Sequence, residues 1–295
     1  MQADAPNGII GLGLMGTAMA ARLRVAGFCV VGFDIDATRC NTFKESGGEV
    51  AVSPGELARR CRIVIVAVYN AEQVCTLIDE LKGDLTRSLM ICTTTCAPDE
   101  IVEIARRTAD IGLALVEAPI SGTSAELRDG SATALIAGET KAIEAAGAIL
   151  DILCPRRVNV GNIGDASRTK LAINLILQNN RAALAEGIVF AERLGLDATT
   201  FLATARTSAA YSRVMDSKGE KMLTGDFAPQ SHIAQTLKDA ELILKEAQVR
   251  RLPLPMTSAQ AGLLRAAIAL KGGDSDSAAI IEAIRLARHR PGEST

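Results

Sequence analysis

The chain has 295 residues, is 48% hydrophobic and 22% charged, and carries a net charge of −2. It can therefore bury a core, and it is neither a disordered tail nor a broadly basic nucleic-acid surface. Its mean hydropathy of +0.21 comes from strand-length apolar runs such as residues 62–69, well short of the roughly 20 residues that span a bilayer.

The first half alternates two patterns. Apolar, β-branched runs at 8–10, 27–33, 63–69, 88–93, 113–117, 133–137 and 157–160 predict strands. The stretches between them, at 14–26, 37–46, 54–60, 71–82, 98–109 and 139–151, predict helices. Continuous apolar strands separated by helices read as a parallel sheet covered on both faces. After about residue 163 the strand signal stops. Ser167–Leu194 has no proline, one glycine (Gly187), and apolar residues such as Leu171, Leu175, Leu184 and Ile188 at roughly helical spacing. That predicts a helix about 40 Å long, apolar enough for a core element or a dimer interface. Further helices are expected at 198–206, 209–222, 230–250, 256–270 and 276–288, with fraying from Pro291. The expected architecture is an α/β domain over residues 1–163 and an all-α domain over 164–295.

Gly11-Leu12-Gly13-Leu14-Met15-Gly16 follows the first strand and opens a helix. In that context the Gly-x-Gly-x-x-Gly pattern is a Rossmann-like dinucleotide fingerprint. The first glycine allows the turn, the second lets backbone approach a pyrophosphate, and the third lets helix pack on strand. Asp34, about 20 residues on at the end of the second strand, can bind both ribose hydroxyls. With Asp36 it repels a 2′-phosphate, and Arg39 is the one basic residue close by. NAD is the expected cofactor, with NADP as the alternative.

Lys170 and Asn174 stand four residues apart at the start of the long helix and share a face. A lysine there can exchange a proton with a substrate oxygen, given the lowered pKa that burial supplies; Asn174 can hold the same oxygen or orient Lys170. Ser121 and Gly122, after a strand and Pro119, form a turn able to present a hydroxyl and N–H groups to a carboxylate.

Residues 9–20, IIGLGLMGTAMA, resemble the N-terminal signature of the β-hydroxyacid dehydrogenase family. Glu117-Ala-Pro-Ile-Ser-Gly-Thr123, Gly161 through Asn174, and Leu237-Lys238-Asp239 resemble its substrate, catalytic and C-terminal motifs, in the same order. The resemblance implies a nicotinamide-dependent oxidoreductase of small 3-hydroxy acids or their aldehydes, with Lys170 as general acid/base and Ser121, Gly122 and Thr123 on the substrate carboxylate. It further implies that Val68, Tyr69, Asn70, Thr95 and Lys238 lie along the cofactor, and that the chain forms a homodimer or homotetramer through its α-domain. Departures are Glu117 for aspartate, Thr123 for a second glycine, Tyr69 in a Leu-Pro loop, Ile173 for a first asparagine and Cys92 for an aspartate. The second half is too short for 6-phosphogluconate dehydrogenase itself. Two other readings are an imine reductase-like enzyme and a non-catalytic dinucleotide-binding module; Lys170 argues against both, and Asp34 against the first.

The remaining chemistry is sparse. Seven cysteines (29, 40, 61, 75, 92, 96 and 154) form no CxxC pair, and His232 and His289 lie in no constellation. No metal site, nucleic-acid partner or membrane partner is expected. The first six residues lack the basic and apolar regions of a secretory signal, so a cytoplasmic protein with reduced thiols is expected.

Overall fold

The computed structural model describes residues 5–81 and 89–287. Its contacts divide into two compact units, split between Lys170 and Leu171. Among the described residues, the first unit contains strands β1 (Asn7–Ile10), β2 (Val30–Phe33), β3 (Glu49–Val50), β4 (Ile63–Val66), β5 (Leu89–Cys92), β6 (Ala114–Glu117), β7 (Ile120–Ser121), β8 (Thr133–Gly138) and β9 (Arg156–Gly161). They alternate with helices α1 (Leu14–Val25), α2 (Ala37–Glu45), α3 (Pro54–Arg60), α4 (Ala71–Glu80), α5 (Pro98–Asp110), α6 (Ser124–Arg128), α7 (Thr140–Ala145) and α8 (Gly147–Leu153).

The strands form one sheet in the order β3-β2-β1-β4-β5-β6-β8-β7, with β9 on β8. The chain winds outward from β1 to β3, then crosses back to β4 on the other side of β1. That reversal opens a crevice at the carboxyl ends of β1 and β4, where ligands bind in such sheets. Both sheet faces are dry. Ile9, Ile65 and Ile91 pack on one side with Met19 and Leu23 of α1 and Leu150 of α8. Ile10, Val64, Val66 and Met90 pack on the other with Leu57, Ile78 and Ile104 of α3, α4 and α5. Period-two alternation with both faces buried is why the strands read as continuous apolar runs.

The sheet is not wholly parallel. From β3 to β6 every pairing is parallel, but β8 runs antiparallel to β6 and to β7. Between β6 and β8 lie only the two-residue β7, itself antiparallel to β8, and the five-residue α6. The short elements β3, β7 and α6 lie below the length at which periodicity is visible. The single helix expected at 139–151 is two, α7 and α8, broken before Gly147. The helix expected from 209 begins at Arg213. Lys82, Ser88, Arg288, His289 and the tail from Pro291 lie outside the described residues.

Helix α9 (Asp165–Arg193), 29 residues and about 43 Å long, begins in the first unit and continues into the second. There it is followed by α10 (Ala198–Arg206), α11 (Arg213–Thr224), α12 (Ile233–Val249), α13 (Pro255–Lys271), a 3-10 turn (Ser277–Ala279) and α14 (Ile280–Leu286). Ile188, Leu202, Met222, Ala240, Leu264 and Ile280 belong to its apolar core. Among the described residues this unit contains no strand, only a bridge from His232 to Asp276. The His232 ring bonds the Asp274 carbonyl at 2.8 Å.

One ion pair crosses that core. Lys218 Nζ lies 2.8 Å from both oxygens of Asp276, with side-chain exposures of 1% and 0%. Asp276 also accepts N–H bonds from Gln230, Ser231 and Ala278. Burial pushes its carboxyl upward, but the Lys218 ammonium and the backbone donors outweigh burial and hold it below the usual aspartate range. A carboxyl lowered in the folded state stabilises above its unfolded pKa, and that stability is lost as pH falls through the folded value. Asp276→Asn leaves Lys218 buried without its counter-charge. It is expected to cost about 3–5 kcal/mol in urea unfolding at pH 7 and to flatten the acid limb of the stability curve, read as helical circular dichroism.

Candidate active site

The glycine loop leaves β1 at its carboxyl end, and its three glycines answer to different constraints. A Cβ on Gly11, whose φ is +96°, falls 2.4 Å from the Ala67 carbonyl oxygen; one on Gly16 falls 1.8 Å from the Gly11 carbonyl oxygen. The fold itself demands both. At Gly13 the nearest atom to such a Cβ is Arg39 Nη1, at 3.7 Å, so nothing in the protein excludes a side chain. Gly13 caps α1 without a side-chain bond, and the first turn holds no acidic residue. A cradle that protein atoms leave open, at the positive end of a twelve-residue helix, fits a dinucleotide pyrophosphate. Leu12, Leu14 and Met15 complete the loop.

Asp34 ends β2 with 7% exposure. Its Oδ2 accepts the Leu12 N–H at 2.7 Å, and its Oδ1 the Asp36 N–H at 2.9 Å. Arg39 reaches Asp34 and Asp36 at 3.5 Å each. The carboxylate is thus fixed beside the loop with lone pairs left for hydroxyls. After β4, Val68 donates its N–H to Thr94 Oγ1, and that hydroxyl donates back to the Val68 carbonyl. Tyr69 is 43% exposed. Asn70 caps α4 by accepting the Gln73 N–H. Thr95 lies in the loop after β5. Cys92 and Cys96 are buried.

The second half of the site begins where β6 ends. Glu117 is 1% exposed, and its carboxylate accepts the Gly164 N–H at 2.6 Å and the Ser167 N–H at 2.5 Å. Burial pushes this carboxyl up, while the Ser167 side chain and the N–H groups of Gly164, Ser167 and Ala166 act against burial. It anchors the start of α9, and three residues further along the chain, in β7, the anchor is repeated. Lys170, 5% exposed, donates from Nζ to the Ile120 carbonyl at 2.7 Å. Ser121 and Gly122 follow directly. Gly122 has φ +151°, and a Cβ there would meet Ala132 at 2.9 Å. Thr123 is otherwise engaged: its hydroxyl accepts the Glu126 N–H, and Glu126 accepts the Thr123 N–H at 2.8 Å, a capping box for α6. Its departure from glycine thus has a local reason.

One turn along α9, Asn174 is 4% exposed and donates from Nδ2 to Asp239 Oδ2 at 2.9 Å. Lys238 pairs with Asp239 Oδ1 at 3.2 Å, while Glu241 pairs with Arg265. The first unit therefore gathers the glycine loop and Asp34 at one crevice, and Lys170 with Ser121–Thr123 along one strand end; the second unit joins Asn174, Asp239 and Lys238. Glu117 and Asp239 carry these arrangements, although sequence reasoning assigned neither a role. An acidic residue at a strand end was the available signal for Glu117.

The fold and these residues define a dinucleotide-binding oxidoreductase. The family model described as the NAD binding domain of 6-phosphogluconate dehydrogenase matches residues 7–161, and that described as NAD-binding of NADP-dependent 3-hydroxyisobutyrate dehydrogenase matches 164–284. The chain belongs to the β-hydroxyacid dehydrogenase family and is a nicotinamide-dependent hydride-transfer enzyme of small hydroxy acids. It is 30% identical to L-threonate dehydrogenase of Cupriavidus necator, over 92% of this chain and 94% of that one. It is 28% identical to glyoxylate/succinic semialdehyde reductase 1 of Arabidopsis thaliana, over 95% and 99%. The crystal structure of a 3-hydroxyisobutyrate dehydrogenase from Salmonella typhimurium superposes with a TM-score of 0.86 at 25% identity, covering 95% of this chain and 99% of the other.

Two outcomes are expected. Gly16→Ala abolishes folding, whereas Gly13→Ala melts near the wild-type temperature but binds dinucleotide at least about tenfold more weakly, by calorimetry. Glu117→Gln turns one acceptor into a donor facing a backbone N–H. It is expected to cost about 1–3 kcal/mol in urea unfolding and to speed amide exchange at Gly164 and Ser167.

Proposed function

We propose that Lys170 is the general acid/base of a 3-hydroxy acid dehydrogenase that prefers NAD. The observation that carries this reading is the buried Lys170 ammonium, 2.7 Å from the Ile120 carbonyl and one residue from Ser121. When bound, nicotinamide supplies the hydride acceptor; the protein supplies position and proton transfer. Ser121, Gly122 and the turn at Thr123 hold the substrate carboxylate. Lys170 in its amine form takes the hydroxyl proton as the carbinol carbon loses hydride, and in the reverse direction returns it to the carbonyl oxygen. The Ile120 carbonyl accepts one ammonium N–H and so fixes the direction of the others. Asp239 fixes the amide of Asn174, leaving one N–H and the Oδ1 lone pairs for the reacting oxygen.

Leu12, Leu14 and Met15 flank the pyrophosphate at Gly11, Gly13 and Gly16. Asp34 takes the adenine ribose, and together with Asp36 it disfavours a 2′-phosphate. Val68, Tyr69, Asn70 and Thr95 border the dinucleotide further along, with Lys238 at the nicotinamide end. Residues 1–163 act as the cofactor domain and 164–295 as the substrate and assembly domain. Ile176 and Phe190 of α9, and Leu194 just after it, are 60–66% exposed, which supports a homo-oligomer built on that helix. Among the described residues no helix is long and apolar enough to cross a membrane, and we place the enzyme in the cytoplasm. The relatives support L-threonate, 3-hydroxyisobutyrate and small semialdehydes as the substrates to try.

Absorbance at 340 nm, with NAD or NADP against these acids and glycerate, tests the reading. NAD is expected to exceed NADP at least tenfold in kcat/KM. Lys170→Ala is expected to lower kcat by about 10²–10⁴-fold with NAD affinity unchanged. Full activity in that variant rejects Lys170 as acid/base.

A further inference from the structure

The polar face of α9 does not stop at Asn174. Lys170, Asn174, Gln178 and Arg181 follow one another at spacings of four, four and three, which places them on one face, and their exposures are 5%, 4%, 3% and 6%. The last two are underemployed. Among the described residues, Gln178 Oε1 and Arg181 Nε have no hydrogen-bond partner. Arg181 makes one bond, from Nη1 to Thr236 Oγ1 at 3.4 Å.

The carboxylates that bear on Arg181 have other partners. Asp276 is held by Lys218; Asp239 accepts from Asn174 through Oδ2 and pairs with Lys238 through Oδ1, although Oδ1 makes no hydrogen bond among the described residues. Burial pushes the Arg181 guanidinium down to about 10, against the pull of those two carboxylates. Buried polar atoms in native proteins are paired as a rule. Here a guanidinium donor and an amide acceptor, one turn apart on one helix face, have no partners among the described residues.

We propose that Gln178 and Arg181 form the subsite for the non-reacting end of the substrate, and that it takes an oxygen-bearing tail, hydroxyl or carboxylate, in preference to an alkyl branch. The inference rests on the placement of the reacting oxygen at Lys170 and Asn174. From Asn174 to Arg181 is about 10 Å along the helix axis. Helical side chains lean toward the N-terminus, so Arg181 reaches back toward Gln178 and Asn174. Asp239, which accepts from Asn174, is, after Asp276, the second carboxylate whose charge bears on Arg181. An oxygen-bearing tail accepts from the guanidinium; a hydroxyl also donates to Gln178 Oε1. A methyl branch leaves both unpaired, and sites built to hydrogen-bond reject analogues that cannot.

The test compares kcat/KM for L-threonate (hydroxyl tail), tartrate (carboxylate tail) and 3-hydroxyisobutyrate (methyl branch). The wild type is expected to favour an oxygen-bearing acid, and which of the two leads identifies the group. Arg181→Met is expected to lower the ratio of that acid to 3-hydroxyisobutyrate by about 100-fold, and Gln178→Leu by about tenfold, in folded proteins. Replacing an unpaired buried charge by an apolar side chain of similar size does not itself threaten folding. An unchanged ratio, or a parallel fall for all three acids together with the melting temperature, overturns the subsite. If Lys170→Ala retains turnover, the acid/base reading fails while the ratio still reports on Arg181. If the wild type turns over none of the acids, calorimetric binding of L-threonate and tartrate to the enzyme–NAD complex decides. Binding lost in Arg181→Met but kept in Lys170→Ala supports the subsite; binding equal in both, or absent from the wild type, overturns it.

Discussion

Helix α9 begins where the carboxylate of Glu117 holds the N–H groups of Gly164 and Ser167, and the placement of its polar side chains follows from that start. A helix end leaves four N–H groups without intrahelical partners. Here a side chain from the end of a core strand, rather than solvent, satisfies two of them. Because the same strand end leads into Ile120 and Ser121, Lys170 and the proposed carboxylate turn are referred to one segment of backbone. The proposed acid/base group and the proposed anion-binding turn are then fixed relative to each other by short, buried bonds rather than by two independent loops. Precision of a few tenths of an ångström, which proton transfer demands, is easier to keep that way. The buried Glu117 carboxylate is costly to charge in isolation, which is why so many N–H donors converge on it.

The dinucleotide half is organised differently. There the tight contacts, Gly11 on Ala67 and Gly16 on Gly11, are internal to the protein, and the position left sterically open is Gly13. Asp34 couples the two ends of the crevice by accepting the Leu12 N–H, so the group proposed to read the ribose also holds the loop proposed to cradle the pyrophosphate. A carboxylate with both duties cannot be exchanged for a neutral residue without loosening the loop. Cofactor preference and loop geometry are therefore linked through one side chain.

Much of this was legible in the sequence, for identifiable reasons. The parallel strands β1, β2, β4 and β5 are continuous apolar runs because both sheet faces are buried, and the helix starts at Asp36, Ser53, Asn70 and Asp197 carry side-chain caps. The glycine loop and Lys170 stand out because their residue types have few other uses in those settings. What escaped was short or relational. The elements β3, β7 and α6 are too brief for periodicity, and the reversal of β8 is marked by no single residue. The role of Thr123 as a helix cap was hidden with α6. Glu117 and Asp239 were visible as residues but not as partners, since a bond between positions 117 and 164, or 174 and 239, leaves no trace in local spacing.

The same distinction bears on specificity. Along α9 the buried face changes character: Asn174, Gln178 and Arg181 are polar, whereas Ala185 and Ile188 one and two turns later belong to the apolar core. A helix that only had to pack would continue the apolar stripe, because burying an arginine without a carboxylate partner forfeits hydration for little return. The polar stretch occupies the part of the helix that follows Lys170 and ends where core packing takes over. Stability alone does not account for that placement, whereas contact with a polar ligand does. On the proposed reading, the hydride chemistry depends on Lys170 and Asn174 of this face, and the choice among hydroxy acids on Gln178 and Arg181. Relatives that share the lysine can thus differ in substrate by changing residues one and two turns further along a single helix.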